Sequence, residues 1–274
     1  MIEASDTAAP ERGGILRTAL AGAAHVLAVS EPFAVIYRAA GFDNVVTVAN
    51  GVSTLPTVVR TPSADGRVRL GYIGGMEPHK GYPLVQAALR GGEYRNLSLL
   101  VVDHSKEAGH SHRTTWGTTP VTFVGRMPQS EVSTLYGALD VLLAPSIWPE
   151  SFGLVTREAV NSGLWVIASD RGAVSECVVD GKNGFVINVD DKNGLAAALA
   201  RIDADAARYM QAPEYRVDLR KASDQADELA RIYIQSTTNG SEPECIRDQT
   251  FASRSQLPGP TGQLLLHDPR NAPV

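Results

Sequence analysis

Residues 140–163 constrain the fold more than any other stretch of the chain. Residues 140–144, Asp-Val-Leu-Leu-Ala, form a short apolar run that reads as a buried strand. Pro145 and Pro149 stop any sheet ladder there, because proline has no N–H to donate. Ser151 is a good helix N-cap, and a segment of helical period follows it to Gly163. The stretch therefore reads as strand, stiff polar loop and helix, with the helix N-terminus turned back on the loop. Unpaired N–H groups and partial positive charge at such an end suit an anion, a diphosphate for example. Glycine at 153 lets a ligand approach the backbone.

Two carboxylates frame that loop. Glu150 lies in it, and Glu158 stands eight residues on. On one continuous helix that spacing is a rotation of roughly 80°, so both carboxylates can border one cleft without touching. Taken alone, they also fit a first-turn helix charge and a solvated face.

The wording of the stretch resembles the Glu-x7-Glu signature of retaining GT-B glycosyltransferases of family 4, the sucrose-synthase-like and mannosyl-transferring enzymes. The resemblance is carried by Pro145-Ser146, Glu150-x-Phe152-Gly153-Leu154, Glu158-Ala159 and Gly163. It continues through Val166-Ile167-Ala168-Ser169, Gly172, Glu176 and Asp180-Gly181-x-x-Gly184, and it covers about 21–236.

The rest of the chain alternates strand and helix signals. Residues 1–11 look unstructured, and 12–24 read as a helix with an Ile15, Leu16, Ala19, Leu20, Ala23 stripe. A strand at 26–29 leads to Ser30-Glu31-Pro32, which opens a helix ending near Gly41. A strand at 45–48 precedes Asn50-Gly51, a turn pair. Further strands are expected at 68–73, 97–102, 121–124, 165–168 and 184–187. Helices are expected to about 89, over 129–139, 174–178, 193–201 and 218–234. This alternation argues for a parallel, doubly wound sheet with ligands outside the carboxyl ends of its strands.

With the resemblance, the expected fold is α/β. It is a Rossmann-like doubly wound parallel sheet, the C-terminal half of a GT-B fold, with a remnant of the N-terminal domain. The implied divisions are 1–52 for that remnant and 53–67 for a linker. Residues 68–236 form the nucleotide-sugar donor-binding domain, and 237–274 a disordered tail rich in Pro, Gly, Ser and Thr.

The resemblance also assigns roles. Glu150 and Lys80 are the expected catalytic groups, Lys80 neutralising the leaving diphosphate. Donor binding falls to Gly74, Lys80, Arg126, Glu150, Phe152, Gly153, Leu154 and Glu158. The first glutamate and the amides beside it hold the donor sugar, and Glu158 holds the ribose hydroxyls. One departure stands out: Gly75 occupies a position where the family usually has a phosphate-binding arginine, so half of that clamp is absent or comes from Arg126 or His79. Trp165 replaces the family's common proline and is assigned to filling space against a neighbouring domain.

The implied reaction moves a sugar from a nucleoside-diphosphate sugar to an acceptor hydroxyl with retention. The expected partners are that donor, an unknown acceptor, and a partner chain or second copy completing the N-terminal domain. No metal or other cofactor is expected. Asp190-Asp191 reads as a solvated turn, and His104, His110 and His112 as loop histidines. A non-catalytic subunit that binds a nucleotide or a protein is the alternative from another class, and a sugar-nucleotide epimerase a more distant one.

A net charge of -5 argues against nucleic acid as a partner. Gly71-x-x-Gly74-Gly75 is not a dinucleotide fingerprint. Cys177 and Cys245 fit neither a metal spacing nor a disulfide framework, which points to a reducing compartment. The expected location is cytoplasmic, with peripheral membrane attachment left open.

Overall fold

The computed structural model describes residues 8–53 and 60–238. The rest of the expected linker, Cys245 and the tail from 239 lie outside the described residues.

A small first unit contains α1 (Ala8–Ala21), β1 (Val26–Ala28), α2 (Glu31–Ala39) and β2 (Val45–Thr47). The first helix begins within the segment expected to be unstructured: Ala8 and Ala9 favour helix, and Pro10 sits in the first turn, where amides lack partners anyway. The Ser30 hydroxyl caps α2 by accepting from the Phe33 amide at 3.3 Å. β1 and β2 pair in parallel, and Val26, Ala28, Ala34, Phe42 and Val45 bury a small core beside them.

The larger unit follows the order β3 (Val68–Tyr72), α3 (Tyr82–Gly91), β4 (Leu97–Asp103), β5 (Ser111–Trp116), β6 (Thr119–Gly125), α4 (Val132–Gly137) and β7 (Val141–Ala144). It continues with α5 (Leu154–Asn161), β8 (Trp165–Ser169), β9 (Gly184–Ile187), α6 (Gly194–Ala204), α7 (Ala206–Tyr209) and α8 (Ala222–Thr238). Its sheet runs β5-β6-β4-β3-β7-β8-β9. All pairings are parallel except β5 with β6. Without β5, the strand order in sequence terms is 3-2-1-4-5-6, the doubly wound order with its switch point between the first and fourth strands. Here that point lies between β3 and β7.

Both sheet faces are covered, as parallel strands require. On one face Leu70, Tyr72, Leu143 and Ile167 pack against Val85 and Leu89 of α3, Leu199 and Ile202 of α6, and Tyr209 of α7. On the other, Leu142, Val166 and Ala168 meet Leu135 of α4 and Ala159 and Val160 of α5. The alternation along β7 and β8 is the period of two of a strand. Truncating a fully buried Leu142 to alanine costs about 2–5 kcal/mol. At the amino ends of the strands, the 1 % exposed Asp140 accepts bonds from the Arg69 amide (2.8 Å), Arg69 Nε (2.9 Å) and Nη2 (2.8 Å), and Arg60 Nη2 (2.5 Å). That cluster fastens the chain before β3 to the amino end of the sheet.

Several local expectations are corrected. The sheet is not purely parallel: β5 forms an antiparallel edge, and His112, expected in a loop, lies on it. Residues 174–178 form turns, not a helix. The last helix starts at Ala222, where Asp224 accepts from the Lys221 amide at 3.2 Å as one half of a capping box. It runs through 237 and 238, which composition assigns to the tail. Asn50-Gly51 is not a turn but an extended segment laid against the start of α8. A Cβ on Gly51 would stand 2.1 Å from the Lys221 carbonyl oxygen. Gln225 bonds the Gly51 amide at 2.9 Å and Asn50 at 2.7 Å, and Val52 bridges to Lys221. Trp165 packs inside the unit: it meets Tyr209 edge-on at 4.9 Å and donates to the Gln211 carbonyl at 2.8 Å.

Candidate functional site

The loops that follow β3 and β7 leave adjacent strands at the switch point, so they flank one crevice. A cavity of about 850 Å³ opens there. It falls in the size range of small-molecule sites. Its lining brings together Gly74, Lys80, Glu150, Phe152, Gly153, Leu154 and Glu158, seven of the eight residues singled out from the sequence.

Lys80 and Glu150 meet across the crevice, Nζ to Oε1, at 2.7 Å, with side chains 32 % and 22 % exposed. Tyr72 positions the lysine loop: its hydroxyl lies 2.6 Å from the Gly75 carbonyl and 3.0 Å from that of Lys80. Burial pushes this phenol above its ordinary range, with Glu77, Tyr82 and Glu150 adding to the shift, so it stays a donor. Ser146 Oγ lies 3.0 Å from Glu150 Oε1 and fixes the carboxylate from its own loop.

The helix beyond the loop starts later than the serine signal indicates. Gly153, not Ser151, stands at the N-cap of α5, with φ +74°. Only glycine adopts that left-handed conformation without strain, and a Cβ there would come within 2.8 Å of Val174 Cα. Ser151 is committed elsewhere, its carbonyl accepting from the Ser30 hydroxyl of the small unit at 2.5 Å. Glu150 is thus outside the helix, bridged to Gly172, and the helical-rotation argument for the two glutamates does not apply. They border one cavity because loop and helix both face it. Glu158 in the second turn of α5 accepts from the Tyr136 hydroxyl at 2.8 Å. Burial, then the neighbouring Glu158 charge, holds that phenol protonated.

Arg157, 7 % exposed, braces the loop from behind. Its guanidinium lies 3.8 Å from the Phe152 ring centroid, donates to the Phe152 carbonyl and to the Ala173 carbonyl (3.1 Å), and pairs with Glu176 at 2.6 Å. The amides of the first turn of α5 have no partner within the helix, and Leu154, Val155 and Thr156 line the cavity.

Arg126 is the singled-out residue that does not line the cavity. It is exposed and paired with Glu107, while its neighbour Met127 reaches the lining. His79 is also absent from the lining, with its ring edge-on to Trp148. The turn at Gly75 has φ +90°, so an arginine does not fit this backbone without rebuilding it. Tyr72 and Tyr136 carry no functional signal in the sequence; Ser30 reads there as a helix cap and Ser146 only as part of the resemblance, and the partners of Ser30 and Tyr136, Ser151 and Glu158, are distant in sequence. Asn50 and Gly51, read from the sequence as a turn pair and not as site residues, both line the cavity. Among the described residues, no cluster of three or more His, Cys, Asp or Glu is arranged to hold a metal, and no helix is long and apolar enough to cross a membrane.

Comparison with known proteins agrees with this architecture. The phosphatidyl-myo-inositol mannosyltransferase of Mycobacterium leprae is 30 % identical over 207 residues, 72 % of this chain and 55 % of that protein. The enzyme of the same name from Mycolicibacterium smegmatis is 30 % identical over 208 residues, with 69 % and 51 % covered. The chain thus spans about half the length of these relatives. Among solved structures, the sucrose-phosphate synthase of Thermosynechococcus elongatus superposes with a TM-score of 0.65 at 23 % identity, covering 86 % of this chain and 65 % of that one. HepE of Anabaena, solved in complex with UDP and glucose, gives 0.64 at 19 % identity, covering 82 % and 69 %. The fold shared with these neighbours is GT-B. The family described as "Glycosyl transferases group 1" matches residues 59–225, more than half of the sequence, and the chain belongs to that family.

Proposed function

We propose that the cavity binds a nucleoside-diphosphate sugar, and that the chain takes part in transferring the sugar to an acceptor hydroxyl with retention of anomeric configuration. The observation that carries this reading is the meeting of Lys80, Glu150, Glu158 and the start of α5 around one crevice at the switch point. In this reading Lys80 and the first-turn amides of α5 hold the diphosphate, with Gly74 allowing close backbone approach. The sugar–phosphate bond breaks and the diphosphate departs with the electron pair, its charge met by those groups. Glu150 must then turn from Lys80 toward the sugar hydroxyls, with the backbone of Phe152, Gly153 and Leu154 beside it. Glu158, oriented by Tyr136, accepts from the ribose hydroxyls. This account assigns phosphate charge to protein groups and needs no metal. Arg126 has a donor role only if it leaves Glu107.

We place the acceptor on a further domain that closes over the cavity. Two three-residue strands are a small sheet, and Val35 and Ile36 of α2 are 54 % and 48 % exposed. Closure would orient the reactants and exclude water. The test is a transfer assay on the purified chain with UDP-, GDP- and ADP-sugars and simple acceptors, read by mass spectrometry, with light scattering and NMR of the product's anomeric signal. The expected result is donor binding with little or no transfer until the further domain is supplied, and then a retained product. A monodisperse monomer turning over at about one per second overturns the requirement for that domain. An inverted product overturns retention.

A further inference from the structure

We infer that His104 is a donor-binding residue of the same cavity, whose protonated imidazole neutralises the donor diphosphate together with Lys80. This inference rests on the nucleotide-sugar reading and adds to it a specific side chain and a dependence on pH.

His104 directly follows β4, whose carboxyl end lies beside that of β3. It is exposed and lines the cavity with Gly74 and Lys80. Its Nε2 lies 2.9 Å from the carbonyl oxygen of Ile73, the residue before Gly74. A carbonyl only accepts, so Nε2 carries the hydrogen. Nδ1 has no protein partner among the described residues and remains the site of the second proton. The ring is thereby tethered beside the Gly74-Gly75 turn.

The charge of the lining gives this histidine its work. The cavity carries two carboxylates, Glu150 and Glu158, against one ammonium, Lys80, which is already paired with Glu150. Tyr72 and Tyr136 stay neutral. The lining is therefore one charge negative while His104 is neutral, and the diphosphate of a nucleotide sugar brings two more negative charges. The start of α5 supplies about half a positive charge. Gly75 adds none, and its φ of +90° disfavours any L side chain there. Protonation of His104 brings the side-chain total to zero. The other ionisable groups around it are Asp103, Lys106, Glu107 and His110 on its own strand end and loop, with Glu107 held by Arg126, and Glu77 beside the Gly75 turn. None of these lines the cavity.

The sign follows from linkage. A bound anion stabilises the imidazolium, so binding is tighter at low pH, where the ring carries its second proton, and weaker at high pH, where it does not. A nucleotide sugar is esterified at both ends of its diphosphate and does not itself titrate there, unlike a free nucleoside diphosphate.

The experiment is calorimetry of UDP-glucose, GDP-mannose and ADP-glucose with wild type and His104→Gln at pH 5.5, 7.0 and 8.5. Glutamine keeps a donor for the Ile73 carbonyl without the charge. For whichever donor binds, wild-type Kd is expected to rise about tenfold from pH 5.5 to 8.5, one charge-assisted bond. His104→Gln is expected to hold the high-pH wild-type Kd throughout. An unchanged pH slope in His104→Gln overturns the inference and leaves the donor site standing. An equal loss at every pH also overturns it, by marking a purely structural role. No binding of any donor by wild type at any pH overturns both readings.

Discussion

Replacing Lys80 with methionine separates two roles that the geometry gives this lysine. In the free protein the substitution removes the 2.7 Å pair with Glu150, both side chains being partly exposed. Such a pair contributes up to about 1 kcal/mol, so the unfolding midpoint should move little. In the complex it removes a charge-assisted bond to a diphosphate oxygen, worth roughly 1.5–3 kcal/mol. At about 1.4 kcal/mol per decade, Kd should rise roughly 10- to 150-fold. Glu150→Gln should act in the opposite direction on a nucleoside diphosphate that lacks a sugar. It removes the charge that competes for Lys80 and keeps a partner for Ser146. The assay is calorimetry on wild type, both single variants and the double variant. If Lys80 neutralises phosphate, the double variant stays as weak as Lys80→Met. If Lys80 serves only to hold Glu150 in place, removing both charges restores binding. A double variant within about twofold of wild type would refute the phosphate role.

Gly153→Ala should cost at least about 1–2 kcal/mol for the left-handed backbone alone. Its methyl also meets Val174, so a lower Tm and at least about tenfold weaker nucleotide binding should appear together. Asp140→Asn leaves Arg60 and Arg69 against a neutral amide and should lower unfolding free energy by about 3 kcal/mol in guanidinium titrations. Nucleotide affinity of the folded protein should be unchanged, because Asp140 lies at the far end of the sheet. Tyr72 and Tyr136 have folded pKa values raised chiefly by burial. Their stabilisation should be complete below about pH 10, the ordinary phenol value, and be lost as pH rises above it. Unfolding midpoints against pH should therefore fall above pH 10, and less steeply in Tyr72→Phe and Tyr136→Phe.

The parallel core announced itself because β7 and β8 are almost wholly apolar, as strands buried on both faces must be. The edge strand β5 did not. Ser-His-Arg-Thr-Thr-Trp is exposed at every position but Trp116 and has no apolar alternation to betray it. Ser151 misled for a related reason. Propensity names a residue that can cap, but Gly153 takes the cap because α5 enters from a left-handed residue packed on Val174. Spacing within the chain placed Glu150 and Glu158 near one another but gave the wrong geometry. Of the partners that aim them, Ser146 shares the loop of Glu150, but Lys80 and Tyr136 come from another loop and another helix, which local sequence does not encode. Arg126 shows the converse: a matching motif residue that the fold turns toward Glu107 on the surface.

The central claim is that the crevice between the β3 and β7 loops holds the nucleoside diphosphate of a sugar donor. The most direct test is calorimetric titration of UDP, GDP and ADP into folded wild type and Glu158→Ala. The account predicts one-to-one binding of at least one of the three. It also predicts that Glu158→Ala weakens that binding by about tenfold or more, through loss of the carboxylate that accepts from the ribose hydroxyls. Binding of none of the three, or equal affinity in Glu158→Ala, would contradict it.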